Sequence, residues 1–274
     1  MDLPYYQIDS FSSRLFAGNP AGVCLLEEWL PDATLQSIAT ENNQPETAFV
    51  IARQDHFDLR WFTPAVEVDL CGHATLAAAH VLFRHRGFTG DEIRFHTRSG
   101  ILRVLRRGDA LSLELPSLPA VPCDAPAALV KGLGKVPLLT AKAQDFLAIF
   151  ATEAEVRNLQ PDFAELKRLD TRGVIVTAPG DECDFVSRFF APAVGVNEDP
   201  VTGSAHCTLV PYWAEQIGRT ELAALQVSAR GGELTCFLRG DRVTLAGRAK
   251  TYLSGTIHLG VNSKPLLSEP EVGG

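Results

Sequence analysis

No stretch of the chain stays apolar for long enough to cross a bilayer: the longest, around Ala74 to Phe83, is too short and is interrupted by His80. Clustered Lys and Arg are also missing. With 33 acidic against 25 basic residues and a net charge of −8, the chain lacks the basic face that nucleic acid or an anionic membrane requires of a partner. The six cysteines (Cys24, Cys71, Cys123, Cys183, Cys207, Cys236) show no C-x-x-C spacing, which suits reduced thiols in a cytosol rather than a disulfide framework. Cys71-x-His73 and His206-Cys207 lack the spacing of a zinc site. The run Gly203-Ser204-Ala205-His206 lacks the G-x-S-x-G elbow of a serine hydrolase. Met1 to Tyr6 has neither the basic start nor the apolar core of a signal peptide. With 46% of its 274 residues hydrophobic, the chain can fill a substantial core, and a cytoplasmic globular protein is expected.

What the chain does have is one pattern written twice. Arg60-Trp61-Phe62-Thr63-Pro64 leads through Glu67-Val68-Asp69-Leu70-Cys71 into Gly72-His73-Ala74-Thr75. Arg188-Phe189-Phe190-Ala191-Pro192 leads through Glu198-Asp199-Pro200-Val201-Thr202 into Gly203-Ser204-Ala205-His206. In each copy an aromatic strand stops at a proline, an acidic loop follows, and a helix of small residues starts at a glycine. The first N–H groups of such a helix are unpaired and carry partial positive charge, so they favour an anion. Two helix starts facing each other would form a cleft for a small, negatively charged metabolite.

The elements around each copy follow the same order. Tyr5–Asp9 and Gly22–Leu26 read as a hairpin-like pair across Gly18-Asn19-Pro20. Asp32 to Asn43 reads as an amphipathic helix with Asp32 as N-cap, ended by Pro45. Glu46–Ile51 and Asp58–Phe62 read as strands, then His73–Arg86 as a helix apolar nearly all round and therefore buried. Strands at 93–97, 101–105 and 111–115 complete a first half. After a stretch punctuated by Pro116, Pro119, Pro122 and Pro126, a second half opens with a strand near 146–150 and a capping box at Thr152 to Glu155. Strands at 173–177 and 184–190 precede the Gly203 helix, which Pro211 should kink. Strands at 226–229, 233–238, 242–246 and 257–259 finish the chain. So many strands with so few helices exclude a doubly wound parallel sheet. The expected class is α+β, two similar half-domains over 1–117 and 118–274, with the last strand able to cross back to the first.

Several linked stretches resemble the PhzF-like family, named for an isomerase of phenazine biosynthesis and sharing its fold with diaminopimelate epimerase. They are Asp9-Ser10-Phe11, Phe16 to Gly22, Glu46-Thr47-Ala48-Phe49, Cys71 to Thr75 and Glu198 to His206. The resemblance implies that each half is a curved sheet around a central helix, with the active site in the cleft between them. It also implies a homodimer and neither metal nor organic cofactor. By motif, Glu46 matches the family's catalytic acid/base, and His73, Asp199 and Ser204 match residues around it. Gln44-Pro45 precedes Glu46 where the family more often has Leu-Ser.

Each of these residues has a structural reading beside the chemical one. Glu46 alone is an ordinary strand-end carboxylate; inside a cleft, desolvation favours a protonated carboxyl that can pass a proton. Asp199 can serve as a helix-start anion or as the second carboxylate of an acid/base pair. Gly72, Gly203 and Ser204 offer N–H groups, and Ser204 a hydroxyl, to a substrate carboxylate. Gly232 and Gly100 are turn glycines able to line the cleft. Cys71 raises the alternative of a cysteine-dependent racemase, but the corresponding position in the second half is Thr202, and one thiol cannot run a two-thiol mechanism. A non-catalytic metabolite-binding or protein-interaction role is the remaining alternative. The substrate, and any part in phenazine synthesis, does not follow from the residues.

Overall fold

The repeated pattern becomes a repeated topology in the computed structural model, which describes residues 1–260; residues 261–274 of the expected second half lie outside the described residues. In the first half β1 (Asp2–Ser10) and β2 (Asn19–Leu26) form an antiparallel pair, and α1 (Asp32–Asn42) returns the chain to β3 (Glu46–Ala52), parallel to β2. β4 (Phe57–Phe62) runs antiparallel to β3 and to the short β5 (Glu67–Val68). After α2 (Gly72–His85), β6 (Glu92–Thr97) lies parallel to β4, and β7 (Gly100–Arg107) and β8 (Ala110–Pro116) follow antiparallel.

The second half opens with β9 (Val121–Pro122) and α3 (Ala127–Leu133), then repeats the scheme. β10 (Leu139–Lys142) and β11 (Phe146–Ile149) are antiparallel; α4 (Glu153–Asn158) and α5 (Phe163–Leu166) lead to β12 (Val174–Pro179), parallel to β11. β13 (Phe185–Ala191) pairs with β12 and with β14 (Val196–Asp199). After α6 (Gly203–Ile217), β15 (Glu221–Gln226) lies parallel to β13, followed by β16 (Gly232–Arg239) and β17 (Arg242–Gly247). The class is thus the expected α+β arrangement of two similar halves. β8 pairs antiparallel with β17, and the final strand β18 (Ala249–His258) crosses to β1 along its whole length.

Physical chemistry accounts for the two central helices. Both are apolar on nearly every face, so each is stable only when wrapped. From Ala74 to Ala79, and at Val81 and Leu82, α2 is buried, and α6 buries Ala205 through Val210. Both belong to one continuous core with Trp61, Phe95, Phe185 and Phe189. α6 continues through Pro211 to Gly218, whose φ of 73° closes it. No helix among the described residues is long and apolar enough to cross a membrane.

Two expectations need correction. Asp32 is the first helical residue rather than the N-cap, which is Pro31; its carboxylate accepts from Arg60 at 2.9 Å instead. The strand expected at 226–229 lies at Glu221–Gln226. It ends there because the Val227 N–H turns to the Ser187 carbonyl, and the Ser228 hydroxyl donates to the Pro200 carbonyl while accepting from the Gly231 N–H.

Candidate active site

The starts of α2 and α6 meet. A Cβ built on Gly72 would lie 3.7 Å from the Gly203 Cα, and one built on Gly203 the same distance from the Gly72 Cα. Glycine on both sides leaves both backbones bare at this approach. The two N-cap residues, Cys71 and Thr202, make no side-chain cap hydrogen bond, and neither helix has an acidic residue in its first turn. Two positive helix ends therefore face one another without the carboxylate that normally offsets such an end.

Four side chains from four separate elements line up beside this junction. Glu46, at the start of β3, places Oε2 3.0 Å from His73 Nε2. The contact is short but poorly aligned for a hydrogen bond, which leaves Oε2 buried without a hydrogen-bond donor among the described residues. His73 is held from behind, since the Ser10 hydroxyl donates to its carbonyl at 2.8 Å. Asn19 Nδ2 lies 3.2 Å from His73 Nδ1, and donates to Asp199 Oδ1 at 2.8 Å and to the Val201 carbonyl at 2.9 Å. Thr202 Oγ1 donates to Asp199 Oδ2 at 2.5 Å. The order Glu46, His73, Asn19, Asp199 thus runs unbroken from the first half to the second.

Electrostatics differ along this row. Burial disfavours charge on His73, but the Cys71 sulfur and the Glu46 carboxylate beside the ring carry its pKa well above the imidazole value. Burial raises Asp199, against the pull of His73 and Thr202. The Cys71 thiol is pushed up to about 11 by burial and by Glu46, so it keeps its proton at neutral pH. The neutral ring can accept from Asn19 at Nδ1, and the Asn19 amide is fixed in this orientation by its donation to Asp199 and to the Val201 carbonyl.

The other expected residues sit close by in different ways. Ser204 is in the first turn of α6, where its Oγ accepts from Arg172 Nη2 at 2.9 Å, leaving the hydroxyl proton free to be donated. Arg172 is in turn held by the buried Asp145. Gly232 packs under the loop before α6: a Cβ there would lie 2.2 Å from Val201 Cγ2. Sequence reasoning missed Asn19, which reads as a turn residue in Gly18-Asn19-Pro20. It also missed Gln226, which fixes the α6 start by accepting from the Thr202 N–H and donating to the Asp199 carbonyl. Likewise Arg230 pairs with the buried Asp9 and bonds the Gly18 carbonyl, tying the β1–β2 loop across to the second half. Two surface concavities, one beside His56 and one beside Leu159, are lined by no residue of either helix start. Buried, charge-shifted groups gather at the junction instead.

Known proteins share this sequence and this fold. Residues 8–255 match the family described as phenazine biosynthesis-like protein, PhzC-PhzF. A protein of Pseudomonas aeruginosa described as an uncharacterized isomerase is 52% identical over 259 residues, which cover 94% of this chain and 100% of that protein. A crystal structure of a phenazine biosynthesis protein of the PhzF family from Enterococcus faecalis superimposes with a TM-score of 0.93 at 44% identity, covering 94% of this chain and 100% of that one. In fold alone, at 11% identity and a TM-score of 0.60, the likeness extends to a hydroxyproline epimerase of Agrobacterium vitis, over 93% of this chain and 92% of that one. With its two glycine-led helix starts, its row of titratable residues and these relatives, the chain belongs to the phenazine biosynthesis-like PhzC-PhzF family.

Proposed function

We propose that the protein is a cofactor-independent cytoplasmic isomerase that moves a proton on a small carboxylate-bearing metabolite, acting as a homodimer. The observation that carries this reading is the meeting of two uncapped helix starts beside Glu46, His73 and Asp199. The substrate carboxylate is held by N–H groups at Gly72, Gly203 and Ser204, where each helix end supplies partial positive charge and has no acidic residue in its first turn. Glu46 takes a proton from one substrate carbon and returns it to another. His73, whose pKa is raised, lies 3.0 Å from the carboxylate at Nε2 and stabilises negative charge as it develops on the substrate. Asp199, whose pKa is raised by burial, stands as a second carboxyl group on the far side. Asn19 keeps the histidine ring and Asp199 at fixed separation.

A thiol-dependent racemase fits less well, because the Cys71 thiol holds its proton and Thr202 occupies the corresponding position. Incubating the protein with metabolite extract in deuterium oxide tests the proposal, with mass spectrometry reading deuterium incorporated into carboxylic acids. Glu46→Gln is expected to lower incorporation about 10²–10⁴-fold while Cys71→Ala retains it. Equal incorporation by the wild type and Glu46→Gln would remove Glu46 from the mechanism. Ligands recovered unlabelled and unconverted would favour a binding protein.

A further inference from the structure

The starts of α2 and α6 are each met by a charged side chain, and the two charges are opposite. In the first half Glu46 reaches His73, the second residue of α2; in the second half Arg172 reaches Ser204, the second residue of α6. Thr47 pairs with Phe62 and Val174 with Phe190, so Gly173 stands where Glu46 stands. A Cβ at Gly173 would run into the Phe189 ring, and it is Arg172, one residue earlier, that extends to the helix start. We propose that Arg172 is a positioning residue for the isomerisation: it commits the Ser204 hydroxyl to donating, so that the substrate carboxylate binds at the α6 start and the reacting carbon faces Glu46. This inference rests on the isomerase reading above.

The guanidinium is fixed on several sides. Arg172 Nε and Nη2 donate to the two oxygens of Asp145 at 3.1 and 2.5 Å, and Asp145 is 3% exposed. The guanidinium carbon lies over the Phe189 ring, 5.3 Å from its centre. Thr171 Oγ1 sits 3.3 and 3.2 Å from the carbonyls of Gln144 and Gly173, which pins the backbone on either side of Arg172. The remaining Nη2 proton is donated to Ser204 Oγ at 2.9 Å. A guanidinium has donors and no acceptor, so the Ser204 hydroxyl can only accept in this pair. Its own proton finds no acceptor among the described residues and is left for a ligand oxygen. Asp145 makes its hydrogen bonds to Arg172 and none to Ser204, so the group in contact with Ser204 is the cation. The two helix starts therefore differ in sign. An acid group beside Glu46 meets like charge, whereas at Ser204 it meets a hydroxyl polarised by a cation.

A thiol placed at position 204 reads the guanidinium without any turnover, so failure here and failure of the isomerase reading are separable. Ser204→Cys is made in protein in which the exposed Cys123 and the half-buried Cys183 are replaced by serine, and alkylation of the introduced thiol by iodoacetamide is followed across pH. Its titration midpoint is expected below the ordinary thiol value of about 8.5. Adding Arg172→Gln is expected to raise the midpoint by about 1 pH unit or more. Because that change leaves Asp145 buried and unpaired, a second variant combines Arg172→Gln with Asp145→Asn to remove both charges, and it is expected to raise the midpoint as well. Benzoate, as the probe carboxylate, is expected to slow alkylation while Arg172 is present, and about 10- to 100-fold more of it to be needed without Arg172. A midpoint that neither variant moves would overturn the proposal. So would benzoate that slows alkylation equally with and without Arg172, or not at all.

Discussion

The two halves share a scaffold and differ at the helix start. In the first, Arg60 forms a fork with Glu67 (2.7 and 2.8 Å) and stacks over Phe62; in the second, Arg188 does the same with Glu198 (2.7 and 2.9 Å) and Phe190. Each fork clasps the strand before the central helix to the acidic segment leading into that helix. One turn into α2 the Thr75 hydroxyl donates to the Cys71 carbonyl, and one turn into α6 His206 Nδ1 lies 2.8 Å from the Thr202 carbonyl. The residues between have diverged: Cys71 and His73 on one side, Thr202 and Ser204 on the other. A doubled architecture has kept the parts that aim the helices and varied the residues at the helix starts. That division is the expected one when function lives in a site grafted onto a conserved frame.

The forks offer the largest contrast in stability. Arg188 also donates to the carbonyls of Val156 and Leu159 (3.1 and 3.0 Å), so Arg188→Met leaves these groups and the half-buried Glu198 unpaired. Its cost is expected to be about 3–5 kcal/mol. Glu67 retains Arg98 at 2.8 Å when Arg60 is lost, so Arg60→Met is expected to cost about 1–2 kcal/mol. Urea unfolding of both variants measures the difference, and equal losses would show that the clasps are energetically equivalent.

Glycines give a smaller contrast. Gly232→Ala places a methyl into buried Val201 and is expected to destabilise by about 1–3 kcal/mol. Gly203→Ala meets only ordinary contacts of 3.7 to 3.8 Å, so stability should change by no more than about 0.5 kcal/mol. The added methyl nevertheless stands between the helix starts, and carboxylate affinity, read by calorimetry, is expected to fall. Undiminished affinity in Gly203→Ala would place the anion elsewhere.

The buried histidines titrate in opposite directions, which makes the finest contrast. His73 has a raised pKa, so its stabilisation is complete below about pH 6.5 and is lost as pH rises through the folded value. His206 is held neutral by burial at a pKa of about 4; its stabilisation is complete above pH 6.5 and is lost as pH falls toward that value. In urea midpoints measured across pH, His73→Gln should flatten the alkaline limb and His206→Gln the acid limb. Both variants altering the same limb would contradict the assignment.

Much of this asymmetry can be read in the residues, because period and punctuation are local. The doubled motif, the buried α2, the Thr152 capping box and the placing of Glu46 at a strand mouth all follow from short-range pattern. Asn19 and Gln226 did not, since their bonding partners lie 180 and 24 residues away in sequence and their types equally suit turns and strand ends. Cys71 was legible as a small buried residue, but its closeness to Glu46 depends on how β3 packs against α2. Long-range polar satisfaction is a property of the folded chain, and side-chain type alone carries little of it.

The most direct test is a crystal structure of the protein with a small carboxylate bound. The account predicts carboxylate oxygens within hydrogen-bond distance of N–H groups at Gly72, Gly203 or Ser204, and a substrate carbon against the Glu46 carboxylate. A carboxylate bound away from both helix starts, with Glu46 turned to bulk water, would contradict it.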